Sequence, residues 1–91
     1  MTVPHSKAWC ELQWAISYRD RLVFKDEVSV GQLVFKFDDS TYAWRPYWVV
    51  DENDGLYEII AAYGDERIKG VPADKLGIAV NASGKTYNEI H

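Results

Sequence analysis

Residues 42–50 read Tyr-Ala-Trp-Arg-Pro-Tyr-Trp-Val-Val and hold four large aromatic side chains within seven positions. Successive side chains of a β-strand point to opposite faces. The even positions would therefore place Tyr42, Trp44 and Trp48 on one face, and the odd positions Tyr47 and Val49 on the other. Because both faces are then largely apolar, this strand is predicted either to lie at the centre of a small barrel or to keep one face bare for a partner.

The composition is typical of one folded domain. The chain has 91 residues, of which 47% are hydrophobic, and this length suits a single core. No run approaches the roughly 18 apolar residues of a membrane helix, and the N-terminus lacks the features of a signal peptide. The single cysteine, Cys10, forms no internal disulfide and fits a reducing compartment. We therefore expect a cytoplasmic protein without membrane association.

The net charge is -4 and the pI is about 5.0. Proteins that bind phosphate backbones cluster Lys and Arg on one surface, so a nucleic-acid partner is not expected. The charge is easier to reconcile with a protein partner, and with a basic one in particular. The acids are too scattered to indicate mimicry of a nucleic acid.

Turn signals divide the chain into short strands. Asn53-Asp54-Gly55 predicts a hairpin, residues 38–41 predict a polar turn, and residues 72–75 predict one helical turn. The hydrophobic phase changes at Gly31, which predicts a bulge or sharp bend in a continuing sheet. Pro46 cannot donate a ladder hydrogen bond, so the aromatic strand is predicted to be interrupted there or to lie at an edge. The apolar runs that predict strands lie at residues 22–30, 33–37, 42–50, 56–63, 67–71 and 76–80.

The N-terminal segment allows two interpretations. Residues 10–18 alternate apolar and polar positions, which favours a half-buried strand. The alternative is a helix capped at Ser6 with Leu12 and Ile16 on one face, but Trp14 and Tyr18 would then lie opposite that face. The strand is preferred. Residues 81–91 contain few apolar side chains and predict a flexible tail after a single domain at residues 1–80.

From Val28 to Val80 the order of features resembles an SH3-like small β-barrel. Val30-Gly31-Gln32-Leu33-Val34 resembles the opening of the first barrel strand, and residues 71–76 resemble the short helical turn before the last strand. The resemblance implies a mainly β fold: a small antiparallel barrel of five to seven strands, with an N-terminal extra hairpin or short helix. In such barrels, exposed aromatic rings lie under proline-rich peptides or form cages around methylated side chains.

The residue types of a catalytic or metal site are sparse in this sequence. His5 and His91 lie next to the chain ends, where a fixed pocket is not expected. Cys10 lies beside Leu12 and Trp14 in the sequence and is interpreted as a buried, unreactive thiol. Asp51-x-Asn53 resembles the start of a calcium loop, but Gly55 stands one position too early, so a plain hairpin is favoured. We expect no enzyme activity, metal or cofactor.

The favoured function is a non-catalytic protein-protein interaction module. Its predicted surface combines the aromatic strand with flanking acids that would favour a basic partner. The predicted partner-binding residues are Tyr42, Trp44, Arg45, Tyr47, Trp48, Asp38, Asp39, Asp65 and Glu66. The rings among them are expected to be partly exposed to solvent. The alternative is a small acidic inhibitor that blocks a larger target, such as a phage anti-defence or toxin immunity protein. A homodimer formed through the same aromatic face is a third hypothesis.

Overall fold

The computed structural model describes residues 6–91, so His5 and the four residues before it lie outside the described part. This part contains two α-helices, six β-strands and one short 3-10 turn. The helices are α1 (Lys7–Ser17) and α2 (Tyr87–Ile90), and the 3-10 turn spans Ala73–Lys75. The strands are β1 (Leu22–Phe24), β2 (Leu33–Asp38), β3 (Ala43–Asn53), β4 (Leu56–Ala61), β5 (Arg67–Pro72) and β6 (Gly77–Ala79).

All six strands form one antiparallel sheet in the order β1-β6-β2-β3-β4-β5. The prediction of a mainly β, antiparallel fold is confirmed. Strands β2 to β5 follow one another as a meander, and β6 returns to pair beside β2. Strands β1 and β5 are the two edges, and in the described residues they do not pair with each other, so hydrogen bonds do not close the sheet.

The two faces of the sheet bury two separate groups of side chains. Neighbouring residues Val34 and Phe35 are both fully buried yet belong to different groups, as the strand period requires. The inner core consists of Val28, Val34, Tyr47, Val49, Tyr57, Ile59, Val71, Ala73, Leu76 and Ile78. The outer core consists of Leu12, Ala15, Leu33, Phe35 and Ala79. The prediction that both faces of the aromatic strand are apolar is confirmed.

The turns predicted from local residue types are present. Asp54 and Gly55 have φ angles of 56° and 80° between Asn53 and Leu56, which pair with each other, as in a two-residue hairpin turn. At Gly31 (φ 92°), the Gly31 N–H donates to the Val49 carbonyl at 2.7 Å, and the Val49 N–H donates to the Gln32 carbonyl at 2.9 Å. Gly31 and Gln32 thus lie opposite the single residue Val49, which confirms the predicted bulge.

Both alternatives predicted from Pro46, an interruption of the strand and an edge position, are wrong. Strand β3 runs through Pro46 and lies between β2 and β4 in the interior of the sheet. The Pro46 carbonyl accepts a hydrogen bond from the Ala62 N–H at 3.0 Å, on the β4 side. In a strand the nitrogen and carbonyl of one residue point to the same side. The Pro46 nitrogen therefore also faces β4. On that side the residue pairing of β3 with β4 begins at Tyr47. No hydrogen bond to β2 is lost.

The preferred strand for the N-terminal segment is wrong, and the alternative helix is correct. The Ser6 side chain accepts a hydrogen bond from the Trp9 N–H at 3.2 Å and caps α1, which buries Leu12 and Ala15 in the outer core. Trp14 was the obstacle to a helix, because it lies off that face. The C-terminal segment covers it: the Trp14 and Tyr87 ring centroids are 5.6 Å apart.

Residues 81–91 form a turn followed by α2. The Asn81 side chain accepts hydrogen bonds from the Ser83 and Lys85 N–H groups at 2.9 and 3.0 Å. Thr86 and Glu89 cap α2 reciprocally, and Tyr87 stacks on His91 with ring centroids 4.3 Å apart. The flexibility of this segment in solution stays a prediction. Within residues 6–91, no helix has the length and apolar character needed to cross a membrane.

Candidate partner-binding surface

Four aromatic rings form a chain of contacts beside the outer core. The Trp44 ring centroid lies 5.5 Å from that of Phe37 and 5.6 Å from that of Phe24, and the Tyr42 centroid lies 5.5 Å from that of Phe37. Tilted and edge-to-face contacts of this kind stabilise ring pairs by about 0.5–1.5 kcal/mol each. We call Phe24, Phe37, Tyr42 and Trp44 the aromatic surface.

Strand pairing places these rings together. Phe37 and Trp44 are direct partners in the β2–β3 ladder, so their side chains lie on the same face of the sheet. Phe24 belongs to β1 and pairs with Gly77 of β6. A Cβ atom on Gly77 would lie 3.0 Å from both the Leu22 Cβ and the Phe24 Cζ. The absence of a side chain at Gly77 therefore allows the Phe24 ring to lie close over β6.

Tyr42 is the most exposed member of the aromatic surface. Its side chain is 84% exposed, and its φ angle is 58°. This left-handed region is unfavourable for a bulky residue. The ring contacts the edge of Phe37, with ring centroids 5.5 Å apart. Tyr42 is thus held in a strained backbone conformation at the end of the polar turn, with its ring directed to solvent.

A groove of about 570 Å³ opens beside the aromatic surface. Phe24, Phe37 and Trp44 supply its aromatic lining, and β5 with the following 3-10 turn supplies most of the rest. The groove is therefore lined by residues of both edge strands, β1 and β5. The charged residues of its lining are Lys36, Asp39, Lys69, Asp74 and Lys75.

Tyr47 and Trp48 do not belong to the aromatic surface. Tyr47 is 3% exposed in the inner core, and its hydroxyl donates to the Glu66 carboxylate at 3.2 Å. Burial, together with that carboxylate, raises the pKa of Tyr47. The expectation that Tyr47 faces solvent is wrong, because an odd position in β3 points into the inner core. Trp48 is half-buried and packs against the outer core.

Arg45 is directed at the polar turn. Its Nη1 lies 3.3 Å from the Asp38 Oδ2, which also accepts from the Thr41 hydroxyl at 3.0 Å. The other Asp38 oxygen accepts from the Ser40 N–H at 3.0 Å and from the Ser40 hydroxyl at 2.7 Å. These hydrogen bonds, with those from Ser40 the largest contribution, lower the pKa of the Asp38 carboxyl to about 2. Asp38 and Arg45 therefore hold the turn that carries Tyr42.

The predicted acids are divided among different places. Asp38 and Glu66 accept hydrogen bonds from other side chains of the chain. Asp39 is exposed and lines the groove, whereas Asp65 is exposed on the loop between β4 and β5. Of the nine predicted residues, the structure thus joins Trp44 and Asp39 at the groove. Tyr42 contacts the groove residue Phe37, and Arg45 and Asp38 support the turn that carries it. Whether any of the nine binds a partner stays a prediction.

Sequence reasoning missed Phe37 and Phe24. The first could have been found, because a polar turn centred between residues 40 and 41 pairs Phe37 with Trp44. The second could not, because Phe24 reaches Trp44 only through the pairing of β1 with β6, more than fifty residues later in the chain. No local pattern encodes that pairing.

No family model, curated protein or solved structure matches this chain. In residues 6–91, no group of three or more His, Cys, Asp or Glu side chains has an arrangement that could hold a metal ion. The aromatic surface and its groove are therefore the features of the molecule that point to a function.

Proposed function

We propose that this chain is a non-catalytic protein-binding module, and that it binds its partner through the aromatic surface and the adjoining groove. The observation that carries the proposal is the cluster of contacting rings, of which Phe24 is 46% and Tyr42 is 84% exposed. Single exposed apolar side chains are ordinary on protein surfaces, whereas contiguous ones beside a groove are typical of interaction sites. Aromatic residues also dominate the binding energy of protein interfaces.

We further propose that the fold is an SH3-like small barrel with α1 and β1 as additions. Three features support this assignment. The strand after the Gly31 bulge, β2, begins the meander, a 3-10 turn precedes the final strand β6, and β6 pairs beside β2. The resemblance in the sequence implies the same arrangement. It also implies that exposed rings near one end of the barrel serve as a binding surface.

Exposed rings can be removed without opening the core, and this gives a direct test. The double variant Phe24→Ala, Tyr42→Ala should lose a partner that the wild-type protein captures from a lysate. The matched control is Leu56→Ala, Tyr63→Ala, since these side chains are 46% and 51% exposed and do not line the groove. The control should keep the same partner. Circular dichroism checks that both variants fold, and a partner that a folded Phe24→Ala, Tyr42→Ala variant still captures would exclude this surface.

The second candidate function is a small acidic inhibitor. It is favoured by the charge of the β3–β4 hairpin, where Asp51 and Glu52 line a depression of about 280 Å³. Lys69 and Glu58, which is paired with Arg67, also line it. Target binding through these acids should weaken steeply with added salt and with Asp51→Asn, Glu52→Gln. It should not respond to Phe24→Ala. The opposite pattern, with loss through Phe24→Ala alone, favours the binding module.

A further inference from the structure

We propose that the groove binds an extended, acidic segment of a partner protein. Apolar side chains of the segment would pack on the aromatic surface while its carboxylates lie near Lys36, Lys69 and Lys75. The inference rests on the proposed function, because both use the same groove. It goes further in assigning the conformation and the charge of the ligand.

The charge of the groove differs from that of the whole chain. Three lysines and two aspartates, Asp39 and Asp74, give its lining a net charge of +1, whereas the chain as a whole carries -4. The rest of the molecule is therefore more negative than the average of the chain suggests. An acidic segment would be repelled by most of this protein and would find its favourable potential at the groove.

The lysines of the groove are available to a ligand. Within residues 6–91, the ion pairs join Arg45 to Asp38 and Arg67 to Glu58, and neither involves a lysine. Lys36 donates to the Phe37 carbonyl at 3.4 Å, which is a neutral acceptor. In the described residues, the ammonium groups of the lining therefore have no carboxylate within ion-pair distance. A carboxylate of the ligand could form an ion pair with them.

The size of the groove indicates a short segment as the ligand. Its volume of about 570 Å³ falls in the range of roughly 300–1,000 Å³ found for sites that enclose small ligands. A folded domain could rest on the aromatic surface but would not fill the space between β1 and β5. An extended chain would fill it and would still place alternate side chains on the rings.

The β5 edge indicates that side chains, and not an added strand, hold the segment. The pairing of β4 with β5 shifts register between Tyr57 and Ile59, and Gly70 at the shift has a φ angle of 73°. Pro72 follows in the same strand and has no N–H group. A bulge and a proline on an edge strand prevent continuous pairing with another chain. Affinity must then come from the rings and the lysines.

A random octapeptide display library, selected on the immobilised wild-type protein, tests this proposal. Enriched peptides should combine Asp or Glu with aromatic or aliphatic residues, and their synthetic forms can be titrated by fluorescence polarisation. The variant Lys69→Gln, Lys75→Gln should weaken binding by at least about fivefold. The matched control Lys7→Gln, Lys85→Gln removes the same charge outside the groove and should change the affinity by less than about twofold.

The other outcomes separate this inference from the proposed function. Enrichment of neutral or basic peptides that still require Phe24 and Tyr42 overturns the acidic ligand and leaves the binding module intact. If no peptide binds the wild type better than the Phe24→Ala, Tyr42→Ala variant, the peptide proposal is overturned, whereas the binding module is overturned only when that variant still captures the wild-type partner from a lysate. Light scattering that shows a dimer dissociated by Phe24→Ala would identify a second copy as the occupant, which also overturns the peptide proposal.

Discussion

Tyr42 combines a cost to folding with an exposed position. A left-handed backbone conformation costs a non-glycine residue roughly 1–2 kcal/mol, and an 84% exposed ring buries little surface in return. Residues held in unfavourable conformations are concentrated at functional sites. Its place beside Phe37, a ring that lines the groove, fits that pattern. The free energy of unfolding provides a way to detect the strain.

At position 42 the glycine variant should be more stable than the alanine variant, which is the reverse of the order found at ordinary positions. Glycine usually destabilises a folded protein relative to alanine by roughly 0.5–1 kcal/mol. At φ 58° alanine keeps the steric conflict of its Cβ, whereas glycine removes it, so we expect the glycine variant to be the more stable by about 1 kcal/mol. Urea denaturation measures the difference. An alanine variant as stable as the glycine variant would show that Tyr42 is not strained.

Asp38 should make stability depend on pH in acid. Its ordinary pKa of 3.8 is lowered to about 2 in the folded protein, so the unfolded chain takes up a proton first as the pH falls. The stabilisation from Asp38 is therefore complete above pH 3.8 and is lost as the pH falls through about 2. The difference in Tm between the wild type and Asp38→Asn should therefore decrease as the pH falls from 3.8 to about 2. Asp39→Asn, which removes the neighbouring exposed carboxylate, is the matched control.

At the scale of elements, β1 and β6 are joined by a close approach at Gly77. A methyl group there would lie 3.0 Å from the Leu22 Cβ, an atom fixed to the backbone of β1. Gly77→Ala should push β1 away, destabilise the protein by about 1–3 kcal/mol and displace Phe24 from Trp44. Chemical denaturation measures the first effect, and near-ultraviolet circular dichroism of the aromatic rings measures the second. Val30→Ala, which shortens an exposed side chain outside the aromatic surface, is the control. An unchanged spectrum for Gly77→Ala would contradict the predicted contact.

The two helices stabilise each other through one aromatic pair. Trp14 of α1 and Tyr87 of α2 meet edge-on at 5.6 Å, so Tyr87→Ala should destabilise the protein by about 0.5–1.5 kcal/mol. A double-mutant cycle with Trp14→Ala should return a coupling energy of that order. Ile90→Ala, which removes an exposed side chain of α2, serves as the control. A coupling energy near zero would instead support the predicted flexible tail.

At the scale of the whole molecule, one sheet separates two cores and should make them unfold together. The inner and outer cores contain alternate residues of the same strands, as Val34 and Phe35 show. Leu12→Ala removes a buried side chain of the outer core and should cost about 2–5 kcal/mol. Tryptophan fluorescence and far-ultraviolet circular dichroism should report the same shifted midpoint. Separate midpoints would mean that α1 and the outer core detach before the sheet unfolds.

The sequence alone determined the features that depend on neighbouring residues. The hairpin at Asn53-Asp54-Gly55, the bulge at Gly31 and the two apolar faces of β3 follow from turn chemistry and from the strand period, which are local properties. Because both faces of β3 are apolar, a position in the interior of the sheet was also one of its two predicted placements. These elements were sufficient to predict a mainly β, antiparallel fold.

Tertiary structure decided which side chains remain exposed. Tyr47 is buried because its face of β3 packs in the inner core. Tyr42 is exposed because it belongs to the polar turn that precedes β3. Segment 7–17 is helical because Tyr87, seventy positions away from that segment, covers Trp14. Phe24 joins the aromatic surface because β1 pairs with β6. Each of these outcomes depends on contacts between distant parts of the chain, and the energy of such contacts is not encoded in any short stretch of residues.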